Sequence, residues 1–494
     1  MSSTKFFSLL DLPSVHAAAT RAATSAAIEQ PLSGWSQMLP FPIPNELARL
    51  TADRINVHLL SAVVELLFTL FAPIINVISA IMITYRVNTH GQSKNRKRKS
   101  NKWVVFLICF ALTKTVFFHF SYRPTYETPH GFFFNKESKI ANIIVSNWEA
   151  RTREYKPPIW LTNGDTQTLI PFIFNKHEKV DYERRWVPVE DGIKVALDCS
   201  MPTTGHDFDK PVFLILHGLN GGSQEEYVKD SVLARNREGS TACVMIARGL
   251  MQTPVENLEF FHGARLSDLH HTAIALRKTL AEGQLLIGSG FSMGAIIMNN
   301  YFASYGEDNM FDAAVTFGGG LDVRHQVKYY RSMRLWQPFL ADELRNNFIT
   351  PHEEAFRQRV SAESIEAAKQ CRDITQFDNN TIIPYHGFAD IDDYYSQMGA
   401  AGDWDGDKKS SEKLKSIARP IAIIHALNDP IVHELTMTSP PSVVADNPNI
   451  IFLITEQGGH VSWPCGNVFE EKWMWMSNVM GAYSRAFEKA IKTV

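Results

Sequence analysis

Cysteine is sparse in this chain of 494 residues: Cys109, Cys199, Cys243, Cys371 and Cys465 stand far apart. No pair has metal-ligand or redox spacing, and no disulfide framework is implied. An excess of one charge is also lacking. The net charge of -3 gives none of the basic signature of a nucleic-acid binder. No repeat recurs at solenoid or propeller periods. No dinucleotide-binding glycine motif and no metal-ligating cluster is visible, so neither cofactor nor metal is expected.

What remains is the composition of a folded protein, 45% hydrophobic and 20% charged. The length allows one large domain with extensions, or two or three domains. Residues 1–50 are rich in Ala, Ser and Thr and read as a mobile arm. Residues 51–122 read as a membrane anchor. Leu59 to Ile83 carries a single ionisable residue, Glu65, and about 20 apolar residues span a bilayer as a helix. Trp103 to Phe120 is a second candidate span, despite Lys114 and His119. Between them lies a basic loop over 86–102, with Lys94, Arg96, Lys97, Arg98 and Lys99 in one run. Flanked by apolar runs, such a loop is expected on the cytoplasmic side. The chain is thus expected to be an integral membrane protein, of an endomembrane such as the endoplasmic reticulum rather than the plasma membrane.

From about residue 150 the pattern changes. Buried-type β runs alternate with amphipathic stretches. Trp186–Val189 and Ile193–Leu197 predict an opening hairpin turned by Glu190-Asp191-Gly192. Strands follow at Pro211–His217, Thr241–Ala247, Leu285–Gly288, Ala313–Phe317, Ile421–His425 and Ile450–Thr455. Ser267–Ala281 has helical spacing. Near-continuous apolar strands separated by helices predict a mostly parallel sheet covered on both faces. Ligands bind beyond the carboxyl ends of such strands. The segment 321–395, with Tyr329, Tyr330, Trp336 and Phe339, suggests a helical cap or a set of peripheral helices.

Strand ends carry the chemistry. Leu285–Gly288 runs into Gly290-Phe291-Ser292-Met293-Gly294, and a helix follows. Gly-x-Ser-x-Gly between strand and helix lifts a serine hydroxyl above the sheet edge; alone, it also describes a glycine-bearing loop. His217-Gly218-Leu219-Asn220-Gly221-Gly222 follows an earlier strand. Its small residues let the Leu219 N–H join the Met293 N–H as donors to an oxyanion. Asn428-Asp429-Pro430 and Gly458-Gly459-His460 follow the last two strands. An Asp before Pro is, by itself, an ordinary turn. His425 and His433 are surface or core histidines of no catalytic consequence. The order decides: Ser292, Asp429, His460 is the chain order of a strand-end nucleophile, acid and base. Ser292 would attack an acyl carbonyl, His460 carry the proton, and Asp429 hold the imidazole.

The chain resembles the membrane-anchored α/β-hydrolase-domain proteins, which include acylglycerol lipases, a phospholipase, embryogenesis-associated hydrolases and medium-chain ethyl ester synthase/esterases. The likeness runs from about residue 155 to about residue 485. It is carried by Pro157-Pro158-Ile159-Trp160, Asn163-Gly164, Gln167-Thr168, His217-Gly218-Leu219 with Gly221-Gly222-Ser223, and Tyr227-Val228. Arg248-Gly249, Ser267-Asp268-Leu269, the serine elbow, Phe377-Asp378 and Asp393-Tyr394-Tyr395 continue it. Asn428-Asp429-Pro430, Asn447-Pro448-Asn449 and Gly458-Gly459-His460 complete it. Departures are Ala295-Ile296 where Gly-Asn is common, Ala247 in place of Asn, and the absence of the His-x4-Asp acyltransferase signature.

The resemblance implies an α/β-hydrolase fold over 150–490 and the Ser292–Asp429–His460 triad. It further implies a membrane-held serine hydrolase of lipid esters such as monoacylglycerols or phospholipids. The bilayer and a fatty-acyl ester are then its partners, with no nucleic acid, and the oligomeric state is left open. An acyltransferase using the same intermediate is the alternative. A receptor with a retired hydrolase fold and a peptidase rank lower.

Overall fold

The computed structural model describes residues 126–494, apart from 159–160, 162, 329, 405–410 and 466–474. The arm, the two candidate spans and the basic loop lie outside the described residues. Among the described residues no helix is long and apolar enough to cross a membrane.

Nine strands form one sheet: β1 (Gly131–Phe134), β2 (Glu183–Pro188), β3 (Lys194–Ser200), β4 (Val212–Leu216), β5 (Thr241–Ile246), β6 (Leu286–Phe291), β7 (Ala313–Phe317), β8 (Ile421–Ala426) and β9 (Ile450–Thr455). Their order is β1-β9-β8-β7-β6-β4-β5-β3-β2. The six strands from β9 to β5 pair in parallel. β1 pairs antiparallel with β9, β2 with β3, and β3 with β5. The parallel strands are buried at every position, which explains their unbroken apolar runs. The opening hairpin is observed as β2–β3, turned by the 3-10 segment Glu190–Gly192.

Helices cover both faces. One layer comprises α1 (Lys139–Asn147), α3 (Glu226–Arg237) and α13 (Trp475–Thr493), sharing a core with Phe213, Ile215, Val244 and Ile287. The other holds α4 (Ser267–Arg277), α5 (Met293–Tyr305) and α12 (Pro440–Asp446); Leu276, Phe302 and Val443 there meet Leu214, Leu286 and Phe452 of the sheet. A further helix, α2 (Gly164–Phe174), is capped by Asn163, whose side chain accepts from Thr166 N. Between β7 and β8 the chain forms α6 (Gln337–Leu344), α7 (Thr350–Phe356), α8 (Ala362–Gln370), α9 (Ile374–Asn380), α10 (Ile382–His386) and α11 (Ile391–Met398). They enclose an apolar cluster of their own, with Phe348, Phe356, Phe377 and Tyr394 at its centre and Leu219 and Met293 packed against it.

One expectation is corrected. Cys199 and Cys243 form a disulfide. They are directly opposed in the antiparallel β3–β5 register, so pairing of strands brings together two residues separated by 44 positions.

Candidate active site

The turn that holds Ser292 is set by close packing. Ser292 sits between β6 and α5 at φ 53 and ψ -118, a left-handed conformation that a non-glycine residue holds only when its surroundings impose it. They do so here. The Ser292 N–H donates to Phe317 O at 2.9 Å, tying the turn to β7. A Cβ on Gly290 would lie 2.3 Å from Gly294 O, and one on Gly294 2.5 Å from Leu216 O. Glycine is therefore the residue that both positions admit.

The structure brings Ser292, Asp429 and His460 together. Ser292 Oγ lies 2.8 Å from His460 Nε2. His460 Nδ1 lies 2.7 Å from Asp429 Oδ2. The other carboxylate oxygen of Asp429 accepts from Ile431 N at 2.8 Å and Val432 N at 2.9 Å. Both oxygens are thus held by donors, and Asp429 is only 1% exposed. A carboxylate fixed in this way makes Nδ1 the protonated nitrogen of His460. Nε2 then turns its lone pair to the serine hydroxyl.

The two remaining predicted residues flank Ser292. Met293 opens α5, and Leu219 lies on the loop after β4. Both line one cavity with Gly218. A Cβ on Gly218 would approach Ser292 Cβ to 3.3 Å, so the loop packs directly against Ser292. Gly218 N donates to the Tyr227 hydroxyl at 2.9 Å. His217 Nδ1 donates to Gly218 O at 2.7 Å, and its Nε2 accepts from Ala247 N at 3.3 Å. Burial pushes the His217 pKa down, which suits an imidazole serving as one donor and one acceptor.

A support for the Asp429 and His460 loops was not read from sequence. The first turn of α2 grips both the acid loop and the histidine loop. Gln167 Oε1 accepts from Asn428 Nδ2 at 2.7 Å and from Gly458 N at 3.0 Å. Gln167 Nε2 donates to Leu161 O at 2.8 Å and Gln457 Oε1 at 3.0 Å. Asn428 Oδ1 accepts from Gly459 N at 3.0 Å, and Thr168 Oγ1 from His460 N at 2.8 Å. The only sequence signal was the adjacency of Asn163-Gly164 and Gln167-Thr168; nothing local linked them to residues 428 and 458.

Other motif residues stand apart from Ser292. Arg248 donates from Nε to Asp268 Oδ2 at 2.7 Å, a buried pair joining two of the motifs. Asn447 Nδ2 donates to Leu414 O at 2.9 Å and Ile417 O at 3.0 Å, fastening a turn. Of the variant positions, Ala295 packs against Gly319, whose Cβ would lie 2.4 Å from its own. Ile296 joins the apolar cluster of the helical insert. His425 is fully buried within β8, and burial lowers its pKa to about 4. His433 caps a 3-10 turn, accepting from Leu435 N at 3.2 Å. Among the described residues, no group of acids, histidines and cysteines could hold a metal ion.

With this geometry in view, the relatives become informative. Monoacylglycerol lipase of Saccharomyces cerevisiae is 28% identical over 271 residues, covering 53% of this chain and 57% of its own. Phospholipase ABHD3 of Homo sapiens is 26% identical over 338 residues, 65% of this chain and 77% of its own. Embryogenesis-associated protein EMB8 of Picea glauca is 25% identical over 373 residues, 72% of this chain and 78% of its own. The chain is thus similar, at 25 to 28% identity, to lipases and esterases of the α/β-hydrolase type. The chain spans little more than half the length of the yeast lipase. No protein-family model matches the chain.

Proposed function

We propose that this protein hydrolyses carboxylic esters of lipids, such as monoacylglycerols or phospholipids, through Ser292, His460 and Asp429. The observation that carries the reading is the unbroken line of two short contacts, 2.8 Å from Ser292 Oγ to His460 Nε2 and 2.7 Å from His460 Nδ1 to Asp429 Oδ2. His460 takes the serine proton as Oγ attacks the acyl carbonyl. The carbonyl oxygen becomes an anion facing the Leu219 and Met293 amides. Donors of this kind stabilise the tetrahedral state by about 3 to 4 kcal/mol each. His460 then returns the proton to the leaving alcohol, and water releases the acyl group by the same steps in reverse.

The apolar lining beside Leu219 and Met293, with Leu250, Phe261, Phe348 and Phe377, supports a fatty-acyl or other apolar arm in the substrate. The insert between β7 and β8 acts as the cap over that arm. The candidate spans Leu59–Ile83 and Trp103–Phe120 hold the enzyme in an endomembrane, close to bilayer-resident esters.

A panel of monoacylglycerols, phospholipids and simple esters, assayed with wild-type and Ser292→Ala protein, tests the reaction. Turnover of a lipid ester by wild type alone supports it. Equal turnover by both proteins removes Ser292 from the mechanism. Carbonate extraction tests the anchor: the chain stays with the membranes, and its release into the supernatant would contradict the spans.

A further inference from the structure

The cavity beside Ser292 is not apolar throughout. It runs from Leu219 and Met293 beneath the helical insert, and at its side stand His262, Asp378 and the Tyr394 ring among Leu344, Phe348, Ile374, Phe377 and Ile382. The residue after His262 packs on the residue after Ser292: a Cβ on Gly263 would lie 3.2 Å from Met293 Sδ. Gly263 N donates to the Tyr394 hydroxyl at 2.9 Å, fixing the backbone there.

The polar atoms are only partly served by protein. His262 Nδ1 is buried without a hydrogen-bond partner among the described residues. Its ring lies tilted against that of His386, 4.4 Å between centroids. Asp378 is 6% exposed, and one carboxyl oxygen accepts from the Tyr395 hydroxyl at 3.0 Å. No cation pairs with Asp378 among the described ion pairs; the nearby Arg345 is engaged with Asp342 and Cys371 O. An aliphatic chain lying against the Asp378 carboxyl would leave it no partner beyond Tyr395, at a cost of about 1 to 3 kcal/mol.

We propose that His262 and Asp378 form a hydrogen-bonding subsite that selects esters carrying a neutral hydroxyl on the arm occupying this cavity. The inference rests on ester hydrolysis at Ser292. A hydroxyl both donates and accepts, as do a protonated carboxyl and a neutral imidazole. The electrostatics agree. Burial pushes the Asp378 carboxyl up to about 8, with Asp373 adding to the effect. Burial also holds His262 well below its usual range, with His386, Arg265 and Arg248 acting in the same direction. Both groups are uncharged near neutral pH, so a neutral ligand matches them. The hydroxyl has two sources, the leaving alcohol or the acyl chain.

Two substrate pairs distinguish these sources. Glyceryl monodecanoate against propyl decanoate places the hydroxyls on the alcohol. Ethyl ω-hydroxydecanoate against ethyl decanoate places one on the acyl chain. Full-length wild type, Asp378→Leu, Asp378→Asn and His262→Phe are compared by kcat/KM. Wild type favours the hydroxylated member of one pair by about 10- to 100-fold. Asp378→Leu and His262→Phe bring that ratio towards one, raising kcat/KM for the plain ester as well as lowering it for the hydroxylated member. Asp378→Asn, which still donates and accepts, keeps most of the preference. A wild type without preference, an unchanged ratio in Asp378→Leu and His262→Phe, or an equal fall for both members of a pair overturns the proposal. Wild-type protein inert towards every ester would instead contradict hydrolysis itself.

Discussion

Gln167 and Asn428, separated by 261 positions, meet at 2.7 Å with the glutamine oxygen accepting from the asparagine amide. The same oxygen accepts from Gly458 N. One buried amide therefore spans the loop that carries Asp429 and the loop that carries His460. The distance between those loops sets the acid–base contact.

Gln167→Glu removes the amide donor and introduces a carboxylate among the carbonyl oxygens of Leu161 and Gln457. The expected result is a fall in kcat of roughly 10- to 100-fold, from about 1 to 3 kcal/mol of lost fit. KM should change little, because Gln167 lines no part of the cavity. Steady-state kinetics on one soluble ester separates the two parameters. A rise in KM with kcat intact would contradict a positioning role.

Asp429→Asn keeps the volume but exchanges an acceptor pair for a donor and an acceptor. The imidazole is then free to adopt the wrong tautomer. Turnover should drop roughly 10⁴-fold, with fold and melting temperature nearly kept. A rate near wild type would move the acid to another residue.

Gly164→Ala tests the packing between α2 and the acid loop. A Cβ there would stand 1.8 Å from Asn428 O, an approach that no rotamer relieves because the obstacle is backbone. Overpacking of this kind typically costs about 1 to 3 kcal/mol. Thermal unfolding should show a lower midpoint, and activity should fall with it as Asn428 is displaced. An unchanged midpoint would mean that the two segments are looser than the structure has them.

Asp378 gives a pH dependence with a definite sign. Its carboxyl rises from the usual 3.8 to about 8 in the folded chain. Between those values the folded state binds a proton that the unfolded state has released. Stability from this group is thus fully present below about 3.8 and is lost as pH rises towards 8. Asp378→Asn removes the titration. The variant should therefore gain in melting temperature over wild type as pH increases from 5 to 8. A difference independent of pH would show that the carboxyl is already ionised.

The strands, and the meeting of Ser292, Asp429 and His460, were legible because their signals are local. An apolar run such as Pro211–His217 or Ile450–Thr455 declares a buried strand, and glycines or Asn-Asp-Pro immediately after it mark the strand end. β1 was not legible: Gly131-Phe132-Phe133-Phe134 is too short to show a period, and its strand character depends on β9. The disulfide was not legible either, since it follows from the β3–β5 register. The role of Gln167 depends on partners nearly 300 positions away. His262 and Asp378 carry no mark in sequence that separates them from surface groups; only the cavity brings them to one place.

The claim on which the rest depends is that Ser292 Oγ is activated by His460. Peptide mapping by mass spectrometry after reaction with a fluorophosphonate tests it most directly. The phosphonyl adduct should fall on the peptide containing Ser292, form rapidly in wild type, and form far more slowly in His460→Ala. An adduct on another serine, or labelling of Ser292 at an undiminished rate in His460→Ala, would contradict the account.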